Sequence, residues 1–458
     1  MTAAQHGWQR AGWRVGLLAA DVSGAGLAFW VASGAVTGTP TALQVWAAVA
    51  LLSAWLLTAL RHPGFLPRPH RPLITTASQC LLATATGSGL WVVLLYVATP
   101  EGLAARELLL PATAVMFACR VISRHLAGAL ASREAFGERY LLIGNGERSR
   151  AIAEELSNGR HPYQHVVGLL AFDAAQPAPE GVAVLPGSEP VSSLIERLRV
   201  THAIVCQLQP LSDEAARCVT HCEVAGVEVH SMEAAYETFT RRVPLFHVGD
   251  QWIASLEASA HTLYATRVKR LLDIVVSALG LLLLWPLILL LALLVRLSSK
   301  GPAFYRQERI GRHGRPFTFT KLRTMVDDAE AVTGPVWAAE GDPRITPLGR
   351  FLRKSRLDEM PQLWSVLIGD MSLVGPRPER KHFVDRFLEE IPLYGKRLLV
   401  PPGITGWAQV HHTYDTSVED VIEKLRYDLF YVNHVSVKLD LLILLKTFDV
   451  VLRGRGAR

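Results

Sequence analysis

The sequence predicts a membrane protein of α + α/β class: a four-helix transmembrane bundle, a degenerate Rossmann-like parallel-sheet domain, and a mainly helical monotopic domain with a re-entrant membrane helix. Three observations carry this. Four apolar stretches, 15–36, 43–60, 74–98 and 108–130, each near the ~20 residues that cross a bilayer, fill the N-terminal part. Strand and helix patterns alternate from Arg139 to His230. A last apolar run, 275–295, is split by Trp285-Pro286 and has cations at both ends. Composition agrees, with 50% hydrophobic and 19% charged residues. The expected boundaries are 1–132 for the bundle, 133–250 for the sheet domain, 251–266 for a linker and 267–458 for the last domain, with its re-entrant helix at 271–297.

The loops orient the bundle. Arg10 and Arg14 precede the first stretch, Arg61, Arg68 and Arg71 follow the second, and Arg120, Arg124 and Arg133 lie at or beyond the end of the fourth. The other two loops hold Arg106 as their one basic residue, so both ends of the bundle belong in the cytoplasm. Asp21 reads as an interfacial acid. The first stretch lacks a small-residue cleavage signal and is read as retained. A formal charge of +6 suits membrane lipid and phosphate-bearing substrates; no basic stripe interleaved with aromatics is present, and nucleic acid is not an expected partner. Five cysteines without a CxxC pair argue against a disulfide framework. Cys218-x-x-His221-Cys222 reads as buried thiols on a helix rather than as a metal site.

In the middle domain, Arg139–Ile143 reads as a strand and Gly144-Asn145-Gly146 as a tight turn. Residues 149–156 read as a helix, and 166–172, 202–208 and 227–230 as further strands. The dinucleotide fingerprint is incomplete, because Ser149 stands where a third glycine belongs. Asp173 is the candidate ribose acid; a module that regulates or dimerises without a nucleotide is the alternative reading.

Four spans leave the chain in the cytoplasm, and a fifth would move everything after it outside. Pro286 removes a helical hydrogen bond and favours a bend. Arg267, Lys269 and Arg270 before the run, and Arg296 and Lys300 after it, place positive charge at both ends, as a helix that enters and returns requires. Amphipathic pieces around 350–352 and 383–388, and closing helices at 425–435 and 439–452, suit the headgroup region.

The last domain centres on Ser355-Arg356-Leu357-Asp358-Glu359-Met360-Pro361. Pro361 suits a first helical turn, so the two acids sit near a helix N-terminus, where the backbone dipole favours anions. Arg344, Arg350, Arg353 and Arg356 crowd the approach, and Arg377 is stiffened between Pro376 and Pro378. Acids that attack or hold a metal, beside rigid cations, are the parts of phosphoryl transfer.

From Lys269 onward the chain resembles the bacterial sugar transferases, the polyprenyl-phosphate glycosyl-1-phosphate transferases. Carrying this are Lys269-Arg270-Leu271-Leu272-Asp273, Gln307-Glu308-Arg309-Ile310-Gly311, Lys321-Leu322-Arg323-Thr324-Met325, Asp342-Pro343-Arg344-Ile345-Thr346, Leu357-Asp358-Glu359, Gly369-Asp370-Met371-Ser372, Pro376-Arg377-Pro378 and Pro402-Gly403-Ile404-Thr405-Gly406-Trp407-Ala408-Gln409, in the family's order. Trp285 departs from the small polar residue that many relatives have before the proline.

The resemblance implies transfer of a sugar-1-phosphate from a UDP-sugar to polyprenyl (undecaprenyl) phosphate with release of UMP, through an aspartyl-phosphosugar, at the cytoplasmic face of a bacterial inner membrane. It implies Asp358 as nucleophile and Glu359 as ligand of Mg²⁺. Arg377, Lys321, Arg323, Arg353 and Arg309 are the phosphate-binding candidates; Gln362, Asp370 and Gln409 are orienting groups. His411 and His412 read as surface. A homodimer through the bundle and middle domain is compatible with the layout. Two rival readings stand beside this one. An NAD-dependent nucleotide-sugar dehydratase would need a Tyr-x-x-x-Lys pair, which the middle domain lacks. A non-enzymatic export scaffold would have no use for the acids and arginines between Lys321 and Glu379.

Overall fold

The computed structural model describes residues 19–24, 80, 81, 84, 88, 106–131, 138–158, 164–172, 178–185, 189–208, 210–326, 342–412 and 417–452. Most of the first three apolar stretches, Asp173 and the basic tail lie outside them. The chain divides into two compact units, Met1–Met232 and Glu233–Arg458.

In the first unit, the fourth apolar stretch is helix α1 (Arg106–Ala131). Asp21, expected at an interface, is instead buried against it: Arg124 Nη2 lies 2.8 Å from Asp21 Oδ2, and Arg120 Nε 3.7 Å from Oδ1. An acid in an apolar bundle is tolerable only with such partners. A Cβ on Gly24 would lie 2.8 Å from the Cys119 Cβ, so the first stretch touches α1 closely. Arg120 also donates to Thr84 Oγ1, and Ser88 bonds Thr113, which ties the third stretch to the same helix.

The middle domain is a five-stranded, all-parallel sheet of order β3-β2-β1-β4-β5. Its elements are β1 (Glu138–Ile143), α2 (Glu147–Ser157), β2 (Gln164–Leu170), β3 (Val184–Leu185), α3 (Val191–Leu198), β4 (His202–Val205), α4 (Asp213–Val224) and β5 (Glu228–Ser231). Leu141, Ile143 and Ala203 are buried with Leu194, Ile195, Cys218 and Cys222, so the cysteines of α4 are core thiols. Gly144 and Gly146 have φ of 97° and 112°, values open to glycine at little cost. Asn145 Oδ1 accepts from the Phe172 N–H, and the Ser149 hydroxyl donates to the Gly146 carbonyl, closing the turn in place of a third glycine.

The second unit begins with α5 (Met232–Thr240) and α6 (Asp250–Ala260). The stretch 251–266, expected as a linker, is folded: Trp252, Leu256 and Ala260 are core residues together with Phe387, Tyr394, Trp407, Leu425 and Leu429. Trp252 donates to buried Glu237, which also accepts from Asn433. This domain therefore starts at Glu233, well before its first sequence motif at Lys269.

Helix α7 (Lys269–Ser298) continues through Pro286, and with the preceding turn forms the one helix among the described residues, Tyr264–Ser298, that is long and apolar enough to cross a membrane. Both of its halves pack on the second unit. Near its start, Arg270 donates to the Val366 and Leu367 carbonyls, Asp273 accepts from the Leu373 N–H, and Lys269 pairs with Asp440 at 2.7 Å. Near its end, Leu291, Ala292 and Val295 pack against Leu322 and Leu352. Leu282, Leu283, Trp285, Leu289, Leu290, Leu293 and Leu297 are exposed.

The antiparallel hairpin β6 (Phe304–Ile310) and β7 (Pro316–Leu322) follows. Next come α8 (Pro347–Ser355), a short 3-10 turn (Leu357–Glu359) and α9 (Gln362–Ile368). The parallel pair β8 (Ser372–Val374) and β9 (Gly403–Thr405) flanks α10 (Lys381–Glu390), and α11 (Val418–Asn433) and α12 (Val437–Leu452) close the chain. Gly375, Gly403 and Gly406 are where backbones meet. A Cβ there would lie 2.3, 2.1 and 2.3 Å from main-chain atoms.

Candidate active site

The site forms where α8 stops. Thr346 caps its start through Oγ1, accepting from the Gly349 N–H, and a Cβ on Gly349 would lie 2.0 Å from the Thr324 carbonyl, so α8 sits hard against the end of β7. Arg356 ends the helix in the left-handed region, φ 58°, unusual for a residue with a Cβ. Its N–H bonds back to the Arg353 carbonyl, and the reversed chain enters the 3-10 turn with Asp358 pointing inward, 5% exposed. The acids thus precede α9 by less than a turn, as Pro361 indicated. Pro361 itself is the residue before the helix.

Around the pair the cations are ordered. Glu359 Oε1 accepts from Arg377 Nη2 at 3.1 Å and lies 3.7 Å from Arg356 Nη1. Burial acts to raise the Glu359 carboxyl, but Arg377 and Arg356 outweigh it and hold it below the ordinary value. Asp358 is different. Burial, helped by the neighbouring Glu359 charge, pushes it up to about 6 against the pull of Lys321, Arg353 and Arg356. Its Oδ1 is buried without a hydrogen-bond partner. Lys321 stands over the Tyr305 ring, 5.4 Å from its centroid, and burial brings its ammonium down to about 8, opposed by Asp358. Arg353 is steadied by Thr324 Oγ1 at 2.9 Å. Arg309 lies 4.6 Å over the Phe319 ring and donates to the Pro378 carbonyl; burial lowers it to about 10. Two neighbouring carboxyls with opposite shifts, amid fixed cations, form the arrangement that separates a reactive acid from a permanently ionised one.

A family model described as bacterial sugar transferase matches residues 264–454. The chain is 41% identical over 258 residues to the UDP-N-acetylgalactosamine-undecaprenyl-phosphate N-acetylgalactosaminephosphotransferase of Aeromonas hydrophila, an alignment that covers 56% of this chain and 60% of that protein. It is 44% identical over 193 residues to the UDP-glucose:undecaprenyl-phosphate glucose-1-phosphate transferase of Caulobacter vibrioides, covering 41% of this chain and 71% of that one. With the undecaprenyl-phosphate galactose phosphotransferase of Salmonella typhimurium it shares 30% identity over 360 residues, 74% of this chain and 72% of the relative. The chain belongs to the bacterial sugar transferase family.

In this sugar transferase the structure brings together Asp358, Glu359, Arg377, Lys321, Arg353 and Arg309. It gives Arg323 another task, a correction to its reading as a phosphate ligand. The Arg323 guanidinium is buried and donates to the Ser299 and Lys300 carbonyls and the Ser299 hydroxyl, closing the end of α7. Orphan carbonyls at a helix end need such donors. Gln409 ties its own turn through the Ile404 carbonyl. Asp370 is exposed in the turn between α9 and β8. Gln362 is buried one turn after Asp358, with Nε2 unpaired. His411, read as surface, is exposed; its ring nonetheless stacks on Tyr427, and its Nε2 accepts from Lys446 at 2.6 Å.

Sequence reasoning missed Arg397. Its guanidinium is 4% exposed, pairs with Asp428 at 2.7 Å, bonds the Tyr394 hydroxyl, and donates to the Arg377 carbonyl at 2.9 Å. Glu379 and Lys424, paired at 2.8 Å, border the same group. No local motif marks Arg397, because its partner acid lies 31 residues away.

Proposed function

We propose that this transferase moves a sugar-1-phosphate from a UDP-sugar to polyprenyl phosphate, of the undecaprenyl class named in its relatives, and so starts a cell-surface polysaccharide repeat unit. The observation that carries this reading is the buried, unpaired Oδ1 of Asp358 in the electrostatic field of Lys321 and Arg353. The Asp358 carboxylate attacks the phosphorus that bears the sugar; the bond from that phosphorus to the UMP oxygen breaks, and UMP leaves. An oxygen of the lipid phosphate then attacks the same phosphorus, the acyl-phosphate bond breaks, and Asp358 departs as carboxylate. Lys321, Arg353 and Arg377 hold the diphosphate and take up charge as it develops. Splitting the reaction spares the two anionic substrates a direct encounter.

The donor set fits Mg²⁺: adjacent carboxylates supply hard oxygens, one of them buried and unpaired. Glu359 would hold the ion, which would neutralise diphosphate charge. Arg377 would then exchange its Glu359 contact for a substrate phosphate.

The same proposal includes the membrane arrangement: a multi-pass protein of the bacterial inner membrane with a four-helix bundle, α7 entering and returning, and the acids at the cytoplasmic face. Its support is that both halves of α7 pack on the same domain while Leu282, Leu283, Leu289, Leu290, Leu293 and Leu297 are left exposed. A straight crossing would part those contacts.

The test is UMP release from a panel of UDP-sugars, with and without undecaprenyl phosphate. Lipid-dependent turnover with one donor, lost in Asp358→Asn, is expected, together with a stoichiometric UMP burst without lipid. No release from any donor by folded protein would overturn the transferase reading.

A further inference from the structure

On the other unit, far in sequence from the acids above, three metal-ligating side chains converge on one face of the sheet edge. β5 is the edge strand, and its Glu228 lies directly opposite His202 of β4. His230, two residues along β5, points to the same face by the alternation of a strand. His202 Nε2 is 3.5 Å and His230 Nε2 4.0 Å from Glu228 Oε2, and all three ligand atoms lie within 4.8 Å of one another.

The outer partners suit a metal as well. His202 Nδ1 is 2.8 Å from Thr201 Oγ1, which accepts from the Arg139 N–H and reaches the Arg139 carbonyl with its own proton. Donation from Nδ1 to the Thr201 oxygen would leave the Nε2 lone pair towards Glu228, the tautomer a ligand needs. The His202 ring is stacked between Tyr140 and His230, at 4.9 and 5.7 Å, so its direction is set by packing. In a tetrahedral zinc site, bonds of about 2.0–2.2 Å put ligand atoms roughly 3.3–3.5 Å apart. The His202–Glu228 pair already meets this. His230 and Glu228 are partly exposed and need shift by only about an ångström to close on an ion.

We propose that His202, Glu228 and His230 bind Zn²⁺, with the fourth position left to water or an external ligand. Two imidazoles favour zinc over the all-oxygen preference of Mg²⁺. The ion would clip edge strand β5 to β4, adding to the main-chain bonds, the Glu228–His202 contact and the His202–His230 stacking that join them. Nothing in the transferase chemistry uses this triad.

The experiment takes full-length protein in detergent, free of any histidine tag, stripped with chelator and then titrated with Zn²⁺ against a chromophoric competitor in excess Mg²⁺. Wild type should bind one equivalent. His230→Ala and Glu228→Gln, both at partly exposed positions, should each weaken that binding at least 50-fold, whereas Asp358→Asn should bind as wild type does. Added Zn²⁺ should raise the melting temperature of wild type and leave both triad variants unmoved. Absence of stoichiometric binding in wild type, or equal binding in the two triad variants, would overturn the proposal.

Discussion

Arg397 donates from Nη2 to the main-chain carbonyl of Arg377 at 2.9 Å, while Asp428 and Tyr394 grip Arg397 from behind. The arginine that faces Glu359 is therefore aimed by a second, buried arginine as well as by its two prolines. Arg309 does the same for the neighbouring Pro378 carbonyl.

Arg397→Lys keeps the charge and loses the fork that spans Asp428 and the Arg377 carbonyl. Steady-state kinetics should show kcat/KM down by about 10–100-fold, the range for groups that orient a ligand from behind. Arg397→Ala should also lose roughly 3–5 kcal/mol of stability, because the buried Asp428 carboxylate loses its guanidinium partner. Unchanged kinetics in the lysine variant would remove the positioning role.

The pH–rate profile should be bell-shaped. Attack requires ionised Asp358, so kcat/KM rises through about 6. Charge stabilisation requires protonated Lys321, so it falls through about 8. In Lys321→Arg the alkaline limb should move upward, since a guanidinium stays charged.

Asp358→Asn should be inactive and yet more stable at pH 7.5. The folded-state value near 6 exceeds the ordinary carboxylate value of about 3.9, so the native protein holds more protons between those values. Stability then falls as pH rises through that window, by about 1–3 kcal/mol. Denaturant titration at pH 7.5 and pH 4 separates the outcomes: the variant should lead wild type at the higher pH, with the gap shrinking at the lower.

Arg377 and Arg323 should part company. Arg377→Ala is expected to cut kcat about 10²–10³-fold in a folded protein, as loss of a charge-stabilising donor does. Arg323→Ala should lower stability by about 1–3 kcal/mol through the uncapped end of α7, with near-normal kcat in the protein that remains folded. A melting curve and a UMP assay on both variants decide this.

Gly403→Ala should be among the most damaging small changes in the second unit. Its Cβ would stand 2.1 Å from the Gly375 nitrogen, in a parallel pairing that carries the Pro376-Arg377-Pro378 loop. Backbone must move, at a cost of at least about 1–3 kcal/mol. A melting temperature within a degree of wild type would show that the strands tolerate separation.

Much of this protein is legible without coordinates because its signals are local. Apolar run length, strand alternation, Gly144 and Gly146 at a turn, and Pro361 after two acids are properties of consecutive residues, and each is reflected in α1, β1, the β1–α2 turn and the entry to α9. The cluster of motifs from Lys269 to Gln409 marks the chemistry for the same reason. What only the tertiary structure decided are matters of distance across the chain. Arg323 and Arg377 look alike in sequence, yet one closes a helix end and the other meets Glu359. Asp21 waits on Arg124, 103 residues away, and Arg397 on Asp428. The segment after Glu233 carries no motif, and its core residues gain their meaning from α11, more than 160 residues later. Whether a charged side chain binds substrate or holds the fold depends on which orphan carbonyl or carboxylate the folded chain places beside it, and that partner is set by packing rather than by neighbours in sequence.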